Sequence, residues 1–213
     1  MAKGRFITIE GADGVGKSTQ ARRLCIALRE HGEVVLCTRE PGGSPGAEAI
    51  RGLLVQGEPA RWDAMTEALL HFAARRDHLT NTVRPALARG DWVVSDRFAD
   101  STVAYQGYAQ GLGREAVAKL YDMVVGDLMP DLTLILDLPV DAGLARADRR
   151  GGDDDRYERM DPGFHEKLRN GFLEIARAEP GRCVMIDASA DADTVHAAIL
   201  AVVRERFGLA ADD

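Results

Sequence analysis

The sequence predicts an α/β fold in which a five-stranded parallel sheet carries helices on both faces. Short β-branched, apolar runs alternate with longer segments whose apolar residues recur at helical spacing. Most of the short runs are continuously apolar, which is typical of strands buried on both faces of a parallel sheet. This alternation builds βαβ units with right-handed crossovers. The predicted strands are Phe6–Glu10, Val34–Thr38, Trp92–Asp96, Leu132–Leu138 and Val184–Asp187.

Helix signals lie between and after these strands. Gly32 follows the first periodic segment and suits the left-handed residue that ends a helix. The last segment begins with an acidic first turn, which complements the positive end of the helix dipole. The predicted helices are Lys17–His31, Thr66–Arg89 with a break near Asn81, Arg114–Asp127 and Asp191–Phe207.

Length and composition restrict the class of protein. The chain has 213 residues without an internal repeat or interdomain linker, so we expect residues 1–213 to form one domain. A net charge of −7 disfavours binding to a nucleic acid polymer, whereas small phosphorylated ligands need only a few local cations. No apolar run is long enough to cross a membrane, and no signal-peptide pattern is present. The odd number of cysteines (Cys25, Cys37 and Cys183) suits buried, reduced thiols, so a cytoplasmic protein is expected.

A phosphate-binding loop follows the first predicted strand and precedes the first predicted helix. Its glycines let the backbone wrap around phosphate oxygens, and the amide groups at the start of the helix attract the anion. Lys17 would reach the β- and γ-phosphates, and the Ser18 hydroxyl would ligate Mg²⁺. The motif predicts a P-loop NTPase fold that binds ATP through Gly11, Ala12, Asp13, Gly14, Val15, Gly16, Lys17, Ser18 and Thr19.

The loop alone does not distinguish a kinase from a motor or a switch. A regulatory GTPase should carry an Asn-Lys-x-Asp motif, but Asn81 and Asn170 are followed by Thr and Gly. A large motor would need more chain. A small-molecule kinase fits the length best, and a nucleotide-dependent switch or interaction module is the alternative from another class.

A second phosphate site is predicted where the strand Trp92–Asp96 ends. Ligands of open α/β sheets bind beyond the carboxyl ends of the strands, beside the phosphate loop. There Asp96 could hold the Mg²⁺ shell through water, and Arg97 could clamp the phosphate of an acceptor. The alternative is a structural ion pair at the end of a strand.

Five segments together resemble the thymidylate kinases, which transfer a phosphoryl group from ATP to dTMP. They are Gly11–Thr19, Thr38–Gly43, Phe72–Arg76, Asp96–Ser101 and Ala104–Gly107. The resemblance extends over the whole chain, and the second and the last two segments distinguish this family from other small kinases. Another nucleoside-monophosphate kinase remains the alternative among enzymes.

The resemblance implies a dTMP site with assigned contacts. Phe72 would stack on the thymine ring, and Arg76 would donate a hydrogen bond to thymine O4. Tyr105 would pack under the sugar and disfavour a 2′-hydroxyl, and Asp13 would touch the 3′-hydroxyl and order the waters of the metal. The other implied contacts are the remaining base edge for Thr102, Ser101 and Gln106, the acceptor phosphate for Arg97, and a pocket wall for Glu40 and Pro41.

A charged segment between the fourth strand and the next helix lies where related kinases have a mobile lid, here about residues 142–158. The phosphate loop has no Arg between Gly11 and Gly16, and the lid is rich in Arg, a combination that resembles bacterial members of the family. Arg149 or Arg150 is the expected catalytic cation, and Arg146 and Arg156 are further candidates that would contact ATP. The resemblance also implies a homodimer.

Overall fold

The computed structural model describes residues 4–150 and 156–210, except for the side chain of Arg150. The described residues form a five-stranded, all-parallel sheet in the order β2-β3-β1-β4-β5. The predicted strands are confirmed, and no strand end differs from its predicted position by more than one residue. The strands are β1 (Arg5–Glu10), β2 (Val35–Arg39), β3 (Trp92–Asp96), β4 (Leu132–Asp137) and β5 (Cys183–Asp187).

Helices connect the strands. A π-helical turn at Leu79–Val83 joins α3 to α4 and corresponds to the break predicted near Asn81. A second π-helical turn, Val103–Ala109, extends α5. None of the helices that the structure describes is long and apolar enough to cross a membrane. The helices are α1 (Lys17–Glu30), α2 (Pro45–Val55), α3 (Ala64–His78), α4 (Arg84–Arg89), α5 (Ala99–Thr102), α6 (Arg114–Val124), α7 (Val140–Arg150), α8 (Pro162–Ala178) and α9 (Ala192–Phe207).

The two faces of the sheet are buried in different clusters. Along β1, Ile7 and Ile9 pack with α1 and α9, whereas Phe6 packs with α3 on the opposite face. Successive strand side chains point to opposite faces, which explains why these runs are continuously apolar. The central strand β1 is therefore buried from Phe6 to Glu10, immediately before the phosphate loop.

The strand order places a topological switch at the carboxyl end of β1. This strand lies between β3 and β4, while β2 lies beyond β3. The loops that leave β1 and β3 therefore emerge side by side. This arrangement brings the phosphate loop next to the Asp96–Arg97 pair.

The pairing of two cysteines differs from the prediction that all three are reduced. Cys25 on α1 and Cys37 on β2 form a disulfide in the structure, with their Cα atoms 6.1 Å apart. The prediction of reduced thiols was wrong for this pair, because α1 packs on the sheet directly beside β2. Cys183 is free and buried, as expected.

Candidate active site

The phosphate loop requires glycine for conformation and for space. Gly11, Gly14 and Gly16 all have positive φ angles, of 133°, 78° and 97°. A Cβ atom on Gly14 would lie only 1.9 Å from the carbonyl oxygen of Gly143 on α7. The loop is thus held between β1, α1 and α7, with its amide groups at the N-terminus of α1.

Lys17, the first residue of α1, is buried against this loop. Its Nζ donates a hydrogen bond to the carbonyl oxygen of Ala12 at 2.5 Å and lies 4.0 Å from Asp13 Oδ1. Burial, and then the nearby positive charge of Arg97, lower the pKa of Lys17 to about 8, although Asp13 and Asp96 oppose the change. The ammonium group is therefore largely protonated at neutral pH and available to a phosphate.

Asp13, Arg97 and Tyr105 form one hydrogen-bonded cluster. Arg97 Nη2 donates to Asp13 Oδ1 at 2.5 Å and to the Tyr105 hydroxyl at 2.9 Å, and that hydroxyl donates to Asp13 Oδ2 at 2.8 Å. The structure thus brings together three residues that the sequence assigned to the phosphate loop, the acceptor phosphate and the sugar.

Arg97 has an unusual backbone. Its φ angle is 71°, a value that costs energy for a residue with a Cβ, and the Ser95 hydroxyl donates to its carbonyl oxygen at 2.7 Å. The guanidinium group then reaches back to the carbonyl oxygen of Gly11 and to Ser101 Oγ, both at 3.0 Å. This conformation directs the cation across the end of the sheet towards the phosphate loop.

Glu10 is a residue of the site that the sequence analysis did not identify. It is fully buried at the end of β1, and it accepts hydrogen bonds from the Phe98 amide at 2.7 Å and from Ser101 Oγ at 2.6 Å. Burial, and then the negative charge of Asp100, raise the pKa of Glu10 to about 8. An acidic residue that ends an otherwise apolar strand was the available signal. Glu10 holds the turn that carries Arg97.

We expect this carboxyl group to make stability depend on pH. Between pH 4.5 and about 8 the folded chain keeps the proton on Glu10 and the unfolded chain does not, so the free energy of unfolding should fall as pH rises. One proton corresponds to a slope of at most about 1.4 kcal/mol per pH unit. Urea titrations from pH 5 to 8 should show a shallower fall for Glu10→Gln than for the wild type. Parallel curves would contradict the assignment.

Ser18 and Asp96 meet beside the loop. Ser18 Oγ donates to Asp96 Oδ2 at 2.5 Å, and Asp96 Oδ1 is buried without a hydrogen-bond partner in the described part of the chain. A hydroxyl and a carboxylate are hard oxygen donors of the type that Mg²⁺ takes together with waters and substrate phosphates. These residues fit the predicted metal position.

Helix α3 presents Arg75, not Arg76, to the interior. Arg75 Nε donates to Glu40 Oε2 at 2.8 Å, and its Nη2 donates to the Phe98 carbonyl oxygen and to Thr102 Oγ1 at 3.1 and 3.2 Å. Arg76 is exposed and donates to the Val124 carbonyl oxygen. Successive residues of a helix are about 100° apart, so Arg76, the residue predicted to contact thymine O4, points away from this interior cluster.

Phe72 is likewise displaced from its expected place. It is 1% exposed in a core cluster with Phe6 and Phe98, and the guanidinium of Arg75 lies 4.7 Å from its ring centroid. Phe72 therefore has no free face in the structure. His71 lies one turn before Arg75, and its Nε2 lies 3.0 Å from the Tyr157 hydroxyl. Burial, followed by Arg75 and Arg97, lowers the pKa of His71 to about 3, so its ring is neutral at physiological pH.

Glu40 and Pro41 follow β2, and the peptide bond between them is cis. The Glu40 carboxylate is buried and also lies 2.9 Å from His78 Nδ1. Glu40 thus anchors the guanidinium group of Arg75.

The π-helical turn after α5 adds a second polar group. Gln106 is fully buried, and its Nε2 donates to Glu67 Oε1 at 2.7 Å. Its Oε1 has no hydrogen-bond partner among the residues that the structure describes, and the same holds for Nη1 of Arg75. Thr102, one helical turn before Gln106, contacts Arg75 and places the two side chains on the same side of the site.

The lid is partly helical, because α7 extends to Arg150. Arg146 donates to the carbonyl oxygens of Ala188 and Ser189, and Arg149 is exposed near the end of α7, where its Nε donates to the carbonyl oxygen of Ala145. The Arg150 side chain and residues 151–155, which include Gly151, Gly152 and Asp153–Asp155, lie outside the described residues.

Arg156 has a different position from the one expected for a cation that contacts ATP. It is fully buried and donates to Glu67 and to the carbonyl oxygens of Leu54, Glu58 and Pro59. These contacts use all of its nitrogen atoms. Arg156 thus anchors the C-terminal end of the predicted lid segment, and its contact with ATP stays a prediction.

Known proteins resemble this chain over most of its length. A sequence model described as thymidylate kinase matches residues 9–199. The chain belongs to the thymidylate kinase family. Within that family, the "Thymidylate kinase" of Caulobacter vibrioides is 56% identical over 209 residues, which cover 98% of this chain and 100% of the relative. The "Thymidylate kinase" of Dinoroseobacter shibae is 52% identical over 198 residues, which cover 93% and 95% of the two chains.

A solved member of the thymidylate kinase family has the same fold. The crystal structure of thymidylate kinase from Ehrlichia chaffeensis superposes with a TM-score of 0.75 at 34% identity, over 94% of this chain and 99% of that one. The shared P-loop NTPase fold thus extends over nearly the whole length of both chains.

Proposed function

We propose that this protein is a dTMP kinase, which transfers the γ-phosphoryl group of ATP to dTMP and produces dTDP and ADP. Membership of the thymidylate kinase family supports the reaction class. The observation that carries the choice of acceptor is a pair of buried polar atoms without partners beside the Asp13–Arg97–Tyr105 cluster, namely Nη1 of Arg75 and Oε1 of Gln106.

This pair fits the edge of a thymine ring. Arg75 Nη1 can only donate a hydrogen bond, and Gln106 Oε1 can only accept one. Thymine offers a carbonyl oxygen at O4 and an N–H group at N3, so both buried atoms gain a partner when the base binds. Cytosine offers the reverse pattern and would leave both atoms unsatisfied, which costs binding energy.

Other side chains lie where the sugar and the ring faces of dTMP would bind. Tyr105 lies 5.1 Å from Tyr157 between ring centroids and sits beside Asp13, where a deoxyribose would lie. His71, in place of Phe72, supplies the planar ring against the base, since it shares the face of α3 that carries Arg75. Ser101 and Thr102 act through Arg97 and Arg75.

The transfer joins two phosphate groups without a protein nucleophile. An oxygen of the dTMP phosphate forms a bond to the γ-phosphorus while the bond from that phosphorus to the β-phosphate oxygen breaks. Arg97 leaves Asp13 to hold the acceptor phosphate, and Lys17 neutralises the β- and γ-phosphates of the donor. Ser18 and Asp96 would hold Mg²⁺, which neutralises charge on the triphosphate. The lid cations Arg149 and Arg150 stabilise the transferred group, and Arg146 contacts the donor nucleotide.

An assay of ADP release with a panel of acceptors tests the function. With saturating ATP and Mg²⁺, we expect kcat/KM to be highest for dTMP, lower for dUMP, and at least about 100-fold lower for dCMP. dUMP lacks only the 5-methyl group, which is typically worth about 1–3 kcal/mol in a pocket. Turnover of no monophosphate would contradict the kinase and favour a nucleotide-dependent switch, and preference for another base would favour a different nucleoside-monophosphate kinase.

The adjacent arginines of α3 provide a matched pair of variants. Arg75→Ala should lower kcat/KM for dTMP about 100-fold, because a buried, charge-assisted hydrogen bond to the base is lost. Arg76→Ala should change it less than threefold, because Arg76 is exposed. Steady-state kinetics of both variants measure the difference. If Arg76→Ala is the more damaging change, the assignment made from the structure is incorrect.

The assembly is proposed to be a homodimer. Leu53 on α2 and Met65 and Leu69 on α3 are large apolar side chains with 39–50% of their surface exposed on two helices that pack against each other. A second copy of the chain would cover them. Analytical ultracentrifugation should give twice the mass of 23.1 kDa.

A cytoplasmic location is part of the same proposal, since the substrates are cellular nucleotides.

A further inference from the structure

We infer that Glu67 is a positioning residue that selects the base by fixing the orientation of the Gln106 amide. This inference rests on the proposed function, because it explains how the same pocket distinguishes one pyrimidine from another. Glu67 lies on α3 and is completely buried. It touches no part of the phosphate loop in the structure.

The Glu67 carboxylate is surrounded by hydrogen-bond donors. Its Oε2 accepts from Arg156 Nη2 at 2.5 Å, and its Oε1 accepts from the Tyr157 hydroxyl at 2.8 Å. The same Oε1 accepts from Nε2 of Gln106 at 2.7 Å and from Nε2 of Gln110 at 2.8 Å. A carboxylate paired with a buried arginine can only accept hydrogen bonds.

This requirement determines which end of the Gln106 amide faces Glu67. The two ends of a glutamine amide have nearly the same shape, so the neighbours decide which end points in which direction. The NH₂ group must point to Glu67, and the carbonyl Oε1 must then point away from it. Gln106 is therefore presented to the ligand as an acceptor and suits a pyrimidine with an N–H group at N3. A flipped amide would suit cytosine, whose N3 is an acceptor.

Through Arg156, the Glu67 carboxylate also links the orientation of the Gln106 amide to the predicted lid segment. Arg156 lies in the predicted lid segment, and it holds Glu67 while it donates to the carbonyl oxygens of Leu54 in α2 and of Glu58 and Pro59 between α2 and α3. Because Oε2 is used by Arg156, Oε1 is left for the amides. The ion pair thus holds the carboxylate in the orientation that Gln106 requires.

The variant Glu67→Gln tests this role because it keeps the shape and can donate as well as accept. We expect the ratio of kcat/KM for dTMP to that for dCMP to fall about tenfold or more, because the Gln106 amide can now flip. The ratio for dTMP to dUMP should stay within about twofold of the wild type, since both bases carry O4 and N3–H. Glu115→Gln on the exposed surface of α6 is the control for the loss of one carboxylate.

Two further measurements separate this role from general damage. A merely structural role of Glu67 would raise KM for all three acceptors alike and leave both ratios unchanged, which would overturn the inference. In a Gln106→Leu background, adding Glu67→Gln should not change the dTMP/dCMP ratio further, because the amide is absent. A further change there would also contradict the inference. Failure of the wild type to phosphorylate dTMP would instead refute the proposed function itself.

If Glu67→Gln is too unstable to purify because Arg156 loses its ion partner, the double variant Glu67→Gln/Arg156→Met removes the unpaired charge. It should show the same fall in the dTMP/dCMP ratio. An unchanged ratio in this folded double variant would overturn the inference.

Discussion

Arg97→Ala should lower kcat/KM for dTMP about 1,000-fold. The guanidinium group is the cation that reaches from the end of β3 to the phosphate loop, and it already contacts Asp13, Gly11 and Ser101. Losing two charge-assisted hydrogen bonds to the acceptor phosphate removes about 3–5 kcal/mol of transition-state binding. Steady-state kinetics with dTMP as the variable substrate measure this loss.

Two further variants, Arg97→Lys and Arg76→Ala, serve as controls for Arg97→Ala. Lysine keeps the charge but not the planar fork, so Arg97→Lys should recover only part of the activity. Arg76→Ala removes an exposed arginine of the same charge and should be nearly neutral. If Arg97→Ala retains activity within threefold of the wild type, Arg97 does not hold the acceptor phosphate.

The second large effect is expected from the lid. The double variant Arg149→Ala/Arg150→Ala should lower kcat about 1,000-fold with little change in KM for ATP or dTMP. A cation supplied to the transferred phosphoryl group typically contributes 10³–10⁵-fold to kcat, and no arginine lies between Gly11 and Gly16 to supply it. Single variants should show which of the two residues is the more important. An increase of KM alone, with kcat preserved, would refute this role.

Arg156→Ala provides the contrast within the same segment. It should lower the free energy of unfolding by about 3–5 kcal/mol, because Glu67 would keep a buried charge without its ion partner. Thermal and urea denaturation measure this loss. A stable Arg156→Ala protein with greatly reduced kcat would return Arg156 to the catalytic candidates of the lid.

The strands and the phosphate loop could be predicted because each is encoded by a local pattern. The continuous apolar runs indicated the sheet, and Gly11, Gly16 and Lys17 have fixed spacing between a strand and a helix. The lid beyond Arg146 was predicted as a charged segment, yet α7 continues through Arg150. The sequence did not lead us to predict helix α8, although Asp161 caps this helix and Pro162 is its first residue.

The differences between the expected and the observed side-chain positions arise from side-chain direction and from distant contacts. Arg75 and Arg76 are neighbours in sequence, and only the rotation of α3 decides which one enters the site. A stripe of Glu67, His71, Arg75 and His78 at helical spacing was the signal that could have indicated the polar face of α3. Arg156 could not be assigned from sequence, since its acceptors Leu54 and Glu58 are about a hundred residues away. Cys25 and Cys37 became partners through the packing of α1 beside β2.

The most direct test of the account follows the phosphoryl group itself. The wild-type protein is incubated with ATP labelled at the γ-phosphate, Mg²⁺ and dTMP, and the labelled products are separated and identified. The account predicts that the label appears in the β-phosphate of dTDP, in equal amount to the ADP formed. Label recovered only as inorganic phosphate, or remaining in ATP, would contradict it.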